Sequence, residues 1–188
     1  MYPHNPASLI DITQFSKLEG VVDLIYNPRR TILLLQAEMM EIPHCDGLPF
    51  LVAQGVEAAN HFQGESFGTK EIEQILRDMR REKENIILIG MPGVGKTTVG
   101  KALGEEMGRT CVDVDQELEK EIGDISTYIT EQGEPAFRKK EAETIAKLGT
   151  ETGLVISTGG GCVTVPKNYA HLRQNGRIYQ LTQPVENL

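Results

Sequence analysis

The sequence predicts an α/β chain built on a parallel sheet, with a phosphate-binding loop at the centre of its second half. Three observations lead there. Short β-branched runs alternate with segments of helical periodicity along the chain. The run Ile86-Ile87-Leu88-Ile89 has the unbroken apolar character of a strand buried on both faces. That run leads directly into Gly90-Met91-Pro92-Gly93-Val94-Gly95-Lys96-Thr97, which fits G-x-x-x-x-G-K-[ST] and opens a helical segment.

The elements follow in order. Residues 1–66 read as a β-α-β-α segment. Val21 to Tyr26 is a strand closed by the turn signal Asn27-Pro28, and Thr31 to Met40 is a helix with Thr31 as N-cap. Ile42 to Cys45 is a short strand ending at Asp46-Gly47, and Leu48 to Phe62 is a helix stopped near Gly64. Some sixty residues of this kind do not bury a comfortable core alone. Residues 67–84 read as a linker helix. Its apolar stripe of Ile72, Ile75, Leu76 and Met79 is expected to dock on a neighbouring domain, and its charge run from Arg77 to Glu84 faces water. In residues 85–188 the strands are 86–89, 111–114, 154–157 and 177–181. The helices are 95–107, 117–122, 126–132 and 136–149.

Composition narrows the function. The chain has 188 residues, 39% of them hydrophobic, no Trp and a net charge of −8. An acidic chain is a poor partner for nucleic acid, because phosphate neutralisation needs clustered Lys and Arg. The three cysteines, Cys45, Cys111 and Cys162, are far apart, which disfavours a disulfide framework or a zinc site and fits reduced thiols. The four histidines show no ligand spacing. Met1 to Pro6 does not read as a signal peptide, and no apolar run is long enough for a membrane span. A cytoplasmic location with neither a nucleic-acid nor a membrane partner is expected.

The loop explains itself chemically. Glycines let successive backbone N–H groups point inward at phosphate, and the following helix presents its positive end to the same anion. Gly93, Val94, Gly95, Lys96, Thr97 and Thr98 are therefore the candidate nucleotide-binding residues. Lys96 would reach the terminal phosphates, and the Thr97 hydroxyl is the expected protein ligand of Mg2+. The competing reading is a glycine-rich turn with an exposed lysine.

Three downstream elements stand at strand or helix ends. Asp113-Val114-Asp115 closes the second strand, where alternation puts both carboxylates on one side, able to serve a metal shell and a substrate hydroxyl. In isolation the pair reads better as a polar turn. Phe137-Arg138-Lys139-Lys140-Glu141 places Arg138 and Glu141 one turn apart, either as a surface ion pair or as an arginine that forks a substrate carboxylate. Gly159-Gly160-Gly161 follows the third strand, as a flexible loop or as a place for close backbone approach to a ligand.

Taken together and in order, Gly90–Thr98, Asp113-x-Asp115, Gly133-Glu134-x-x-Phe137-Arg138-x-x-Glu141 and Gly159–Gly161 resemble shikimate kinase over essentially all of residues 85–188. The resemblance implies a P-loop kinase fold and transfer of the γ-phosphate of ATP to the 3-hydroxyl of shikimate, with Mg2+. It implies that Lys96, Asp115 and Arg138 are catalytic. Asp115 would hold the hydroxyl and Arg138 the shikimate carboxylate, while Gly159, Gly160 and Gly161 contact the ring. Thr97 and Asp113 would serve the metal, and Glu141 would orient Arg138 or a substrate hydroxyl. The family also carries a lid with arginines, a fifth strand and a C-terminal helix. The chain is expected to stop before them, since Lys167, Arg173 and Arg177 fall where the helix and strand before the lid belong. Weak or absent turnover is the expected consequence. Two alternatives remain: a nucleotide-binding fragment without turnover, and another small-metabolite kinase such as a gluconate kinase.

Met1-Tyr2-Pro3, Asp23-Leu24-Ile25-Tyr26-Asn27-Pro28 with Thr31, and Gly47-Leu48-x-x-Leu51-x-x-Gln54 are similar to the C-terminal end of shikimate dehydrogenase over about residues 1–64. Phe50 stands where that family usually has Met. The resemblance implies a remnant without hydride transfer, in which Tyr26 and Gln54 serve packing or nothing. It also implies fusion or association between dehydrogenase and kinase.

Overall fold

Residues 10–183 are described by the computed structural model, and the chain divides into two units between Glu82 and Lys83. The Met1-Tyr2-Pro3 element of the dehydrogenase resemblance lies outside the described residues.

In the first unit, β1 (Val21–Val22) and β2 (His44–Cys45) pair in parallel around α1 (Ile32–Met39). Both strands are shorter than predicted. Asp23 ends the first: its carboxylate accepts from Ile25 N (3.0 Å) and from the Thr31 hydroxyl (2.7 Å), which turns the chain out of the ladder. Thr31 caps α1 as predicted, accepting from Leu34 N at 3.3 Å. Leu34 and Ala37 of α1 pack with Ile12 and Val21.

Helix α2 (Leu48–Gln63) ends at Gly64 with φ 69°, the left-handed cap that the sequence indicated. Helix α3 (Thr69–Lys83) lays Ile72, Leu76 and Met79 on Leu48, Val52 and Val56 of α2. The stripe thus docks on the preceding 1–66 segment, and the expected linker helix falls with it in the first unit. Leu48, Val52 and Val56 form an apolar row at four-residue spacing, and α3 is what covers it. Ile75 of the predicted stripe remains exposed.

The second unit is a four-stranded parallel sheet in the order β4-β5-β3-β6, with β3 (Asn85–Ile89), β4 (Cys111–Asp113), β5 (Val155–Ser157) and β6 (Gly176–Gln180). Side-chain alternation sends Ile87 and Ile156 to one face. There they meet Ile145 and Leu148 of α7 (Glu134–Thr150) and Leu172 of α8 (Pro166–Asn175). Leu88 and Val155 point to the other face, toward α4 (Lys96–Met107). Gly100 brings that helix close enough that a Cβ on it would lie 3.5 Å from Leu88 Cδ1 and 3.8 Å from Val155 Cγ1. Helices therefore cover both faces, as continuous apolar strands require. Helices α5 (Val114–Ile122) and α6 (Ile125–Gln132) lie between β4 and α7 in the chain. Helix α5 begins three residues before the predicted 117–122. Among the described residues, β4 and β6 are the sheet edges, and no helix is long and apolar enough to cross a membrane.

Asn85 pins the base of this sheet. It is fully buried, donates Nδ2 to Glu151 O (2.7 Å) and accepts from Leu154 N at Oδ1 (2.8 Å). Those two bonds set the entry of β5 beside β3. Asn85→Leu leaves the Leu154 N–H without its partner and leaves Glu151 O the longer bond from Asn175 Nδ2 (3.3 Å), an expected loss of about 1–3 kcal/mol of stability. Urea unfolding followed by circular dichroism measures it. An unchanged midpoint would mean that the Leu154 N–H finds another partner.

Candidate functional site

The loop between β3 and α4 has the conformation that its glycines allow. Gly93 and Gly95 have φ of 82° and 88°, which a side chain would resist. Lys96 is buried, at 8% exposure, and its Nζ donates to Gly90 O (2.9 Å) and Met91 O (2.8 Å). The exposed-lysine reading of this motif is thereby excluded. The ammonium lies along the inside of the loop, where an incoming phosphate would compete with two carbonyls for it. Thr98 is exposed in the first turn of α4.

Thr97 faces the sheet. Its hydroxyl donates to Asp113 Oδ2 at 2.7 Å and lies 3.4 Å from Ser157 Oγ. Asp113 and Ser157 are register partners at the carboxyl ends of β4 and β5, so strand pairing sets both against the first turn of α4. Ser157 was not singled out from sequence. Its position at a strand end, just before the triple glycine, was the available signal. The paired oxygens of Thr97 and Asp113 suit a hard divalent cation that takes its remaining ligands from phosphate and water.

The expected arrangement of Asp113 and Asp115 on one strand face needs correction. The strand ends at Asp113, which caps α5 by accepting from Asp115 N (3.1 Å) and Gln116 N (3.4 Å). Asp115 thus lies in the first turn of a helix. An aspartate followed by Asp115 and Glu117 is an N-cap pattern with first-turn acids, and it outweighs strand alternation here.

The glycine strip closes the site. A Cβ on Gly159 would lie 2.6 Å from Asp115 Oδ1, one on Gly160 2.7 Å from Pro92 Cγ, and one on Gly161 2.7 Å from Arg138 Nη1. Arg138 donates Nη1 to Glu141 Oε2 (3.0 Å) and Nη2 to Glu134 Oε1 (3.1 Å), and its guanidinium carbon lies 5.1 Å from the centroid of the Phe137 ring. Glu141 is fully buried and shares the inward stripe of Phe137, Ile145 and Leu148 on α7. Cys162, directly after the strip, is buried beneath it. Burial first, then the charge of Glu141, pushes its thiol up to about 12, which leaves it inert. The loop, Asp113, Asp115, Arg138, Glu141 and Gly159–Gly161 are therefore one cluster. Lys167 and Arg173 fall on α8 and Arg177 on β6, where Arg173 stacks on Tyr169 and Arg177 pairs with Glu84.

A parallel sheet that feeds its β3 strand into a phosphate loop, with adjacent strand ends sharing the crevice, is the α/β P-loop kinase fold. The family model for shikimate kinase matches residues 92–188, just over half of the chain, and the chain belongs to the shikimate kinase family. It is 44% identical over 105 residues to the shikimate kinase of Nitrosomonas europaea, covering 55% of this chain and 50% of that protein. It is 42% identical over 106 residues to the shikimate kinase of Caldicellulosiruptor bescii, covering 56% and 62%. Its structure is similar to that of the Acinetobacter baumannii shikimate kinase in complex with shikimate, with a TM-score of 0.55, 38% identity, and 58% and 62% of the two chains covered. The Aquifex aeolicus shikimate kinase gives a TM-score of 0.51 at 34% identity, with 54% and 61% covered. The chain spans about half to three-fifths of the length of the curated relatives it matches.

Burial first, then the charges of Asp113 and Glu141, raise the Asp115 carboxyl above its ordinary value of 3.8, while Lys96 pulls the other way. The folded chain therefore holds that proton more tightly than the unfolded chain. Stability from this group is full below 3.8 and is lost as the pH rises through the folded value. Asp115→Asn is expected to raise the urea midpoint at neutral pH, with the gain fading as the pH falls below the ordinary carboxylate value. A gain that persists unchanged in acid, or none at neutrality, would contradict this origin.

Proposed function

We propose that residues 85–188 form the ATP- and shikimate-binding part of a shikimate kinase, which moves the γ-phosphoryl group of ATP to the 3-hydroxyl of shikimate and yields shikimate 3-phosphate. The observation that carries the reading is the convergence of Asp115, Arg138 and the loop residue Pro92 on the strip Gly159–Gly161. A carboxylate able to accept from a hydroxyl and a guanidinium able to fork a carboxylate then lie beside a phosphate loop, which supports the reading. The shikimate bound to the Acinetobacter baumannii relative supports the choice of substrate.

The roles follow from the chemistry of the groups. The backbone N–H groups of Gly93, Val94, Gly95, Lys96, Thr97 and Thr98 hold the nucleotide phosphates, and the Lys96 ammonium balances their charge. Thr97 and Asp113 would hold Mg2+. The ion supplies charge neutralisation at the phosphates when bound. Asp115 accepts from the 3-hydroxyl and aims its oxygen. Its raised pKa suits a group that receives a proton late in a loose transfer. Arg138 takes the substrate carboxylate, and Glu141 fixes the guanidinium. Gly159, Gly160 and Gly161 offer backbone to the substrate ring.

We propose further that residues 1–66 derive from the C-terminal end of a shikimate dehydrogenase, joined through 67–84 to the kinase-like part as a fusion of two enzymes. The β-α-β-α order, the parallel pairing of β1 with β2 and the Thr31 cap support this reading. A packing role for Tyr26 and Gln54 finds no support, because Tyr26 is 54% exposed and Gln54 is exposed as well. The proposed location is cytoplasmic, in keeping with the free thiols of Cys45, Cys111 and Cys162.

Release of ADP from Mg-ATP with and without shikimate tests the reading. Shikimate-dependent release that disappears in Lys96→Ala supports it. Nucleotide binding without such release would reduce the unit to a nucleotide-binding domain. Arg138→Lys loses the fork geometry and is expected to weaken shikimate binding about ten- to hundred-fold, the range for charge-assisted hydrogen bonds. Titration calorimetry reads that change, and an unchanged affinity would remove Arg138 from the substrate site.

A further inference from the structure

We infer that Glu134 is an internal occupant of Arg138: its carboxylate holds one end of the guanidinium fork and must leave before a ligand carboxylate can be gripped there. The inference rests on the substrate reading above and names a residue that governs affinity at that site.

The two carboxylates on Arg138 are not equivalent. Glu141 bonds Nη1 at 3.0 Å with a side chain only 2% exposed, while Glu134 bonds Nη2 at 3.1 Å with a side chain 65% exposed. Moving Glu141 would leave a buried charge unpaired, which is strongly unfavourable. Moving Glu134 returns a carboxylate to water, and exposed pairs of that kind contribute little. Glu134 also stands at the first position of α7, after Gly133 with φ 84°, where the helix N-terminus favours its charge with or without Arg138. It has a second resting place at low cost.

Arg138 has no such freedom. Phe137 lies under its guanidinium, and Gly161 approaches so closely that a Cβ there would come within 2.7 Å of Nη1 and 2.8 Å of Nη2. Glu141 holds one end. A bidentate grip on a ligand carboxylate needs two parallel N–H groups, and Glu134 draws on one of the two terminal nitrogens. Since the arginine is fixed, the exposed glutamate is the part that yields. Weak anions then compete poorly for the fork, and a well-placed carboxylate binds with an affinity reduced by the fraction of chains in which Glu134 is bound.

The test is the affinity for shikimate, measured by calorimetry in the presence of Mg-ATP, for the parent chain, Glu134→Gln and Glu134→Ala. Binding is expected to tighten about two- to five-fold, the worth of an exposed ion pair. Glu143→Gln, which removes a carboxylate of α7 that pairs with Lys140 instead, is expected to bind as the parent does. A second measurement needs no shikimate. Phenylglyoxal labelling of Arg138, read by mass spectrometry against exposed Arg77, is expected to be faster in both Glu134 variants. Labelling of Arg138 at the parent rate overturns the inference. So does an affinity that fails to rise in a chain that binds shikimate, or a gain shared by Glu143→Gln. If no chain binds shikimate, the substrate reading fails and the labelling rate alone decides whether Glu134 occupies Arg138.

Discussion

At Gly159, Gly160 and Gly161 three separate parts of the chain approach one strip of backbone: the first turn of α5 through Asp115, the phosphate loop through Pro92, and α7 through Arg138. Any added Cβ would lie inside van der Waals distance of an atom from one of them. The crevice depends on this absence of side chains. The strip can be placed so closely because β5 lies between β4 and β3, with Val155 and Ile156 fully buried. Burying such side chains contributes about 1.5–3 kcal/mol each, enough to hold the strand end as a fixed platform.

Electrostatics at the platform is deliberately unbalanced. Among the described residues the cluster gathers four carboxylates, Asp113, Asp115, Glu134 and Glu141, around the cations Lys96 and Arg138. Burial first, and then the neighbouring carboxylates, raise the pKa of Asp115. Sites that break local rules are where function is expected. On the proposed reading the tension has a use. A divalent cation relieves Asp113, a substrate hydroxyl donates to Asp115, and a substrate carboxylate exchanges with Glu134.

Much of this was legible along the chain because it rests on local chemistry. Thr31 as a cap, Gly64 as a stop, the apolar strand before Gly90 and the helix after Gly95 all follow from residue type and spacing. The Asp113–Asp115 geometry was misread because two local rules compete there. Alternation assumes a continuing strand, whereas Asp113 satisfies the N–H groups of Asp115 and Gln116 and starts a helix instead. The stripe on α3 was recognised, but its partner was not, since periodicity reveals an apolar face without revealing what covers it. Ser157 was passed over, and Glu134 entered as part of the Gly133–Glu141 motif without a role of its own, for a similar reason: the first acquires its role from an atom distant in sequence, the second from a rotamer.

The sequence by itself determined the phosphate loop, the alternation of strands and helices, and the set of polar residues available to a site. These depend on backbone preferences and on interactions within a few residues. Only the tertiary structure decided that Asp113 and Ser157 are register partners beside Thr97, that Gly159–Gly161 meets Asp115 and Arg138, and that one glutamate on Arg138 is locked while the other is exposed. Those facts follow from strand register and helix packing, which are set by burial across the whole sheet rather than by any short stretch of chain.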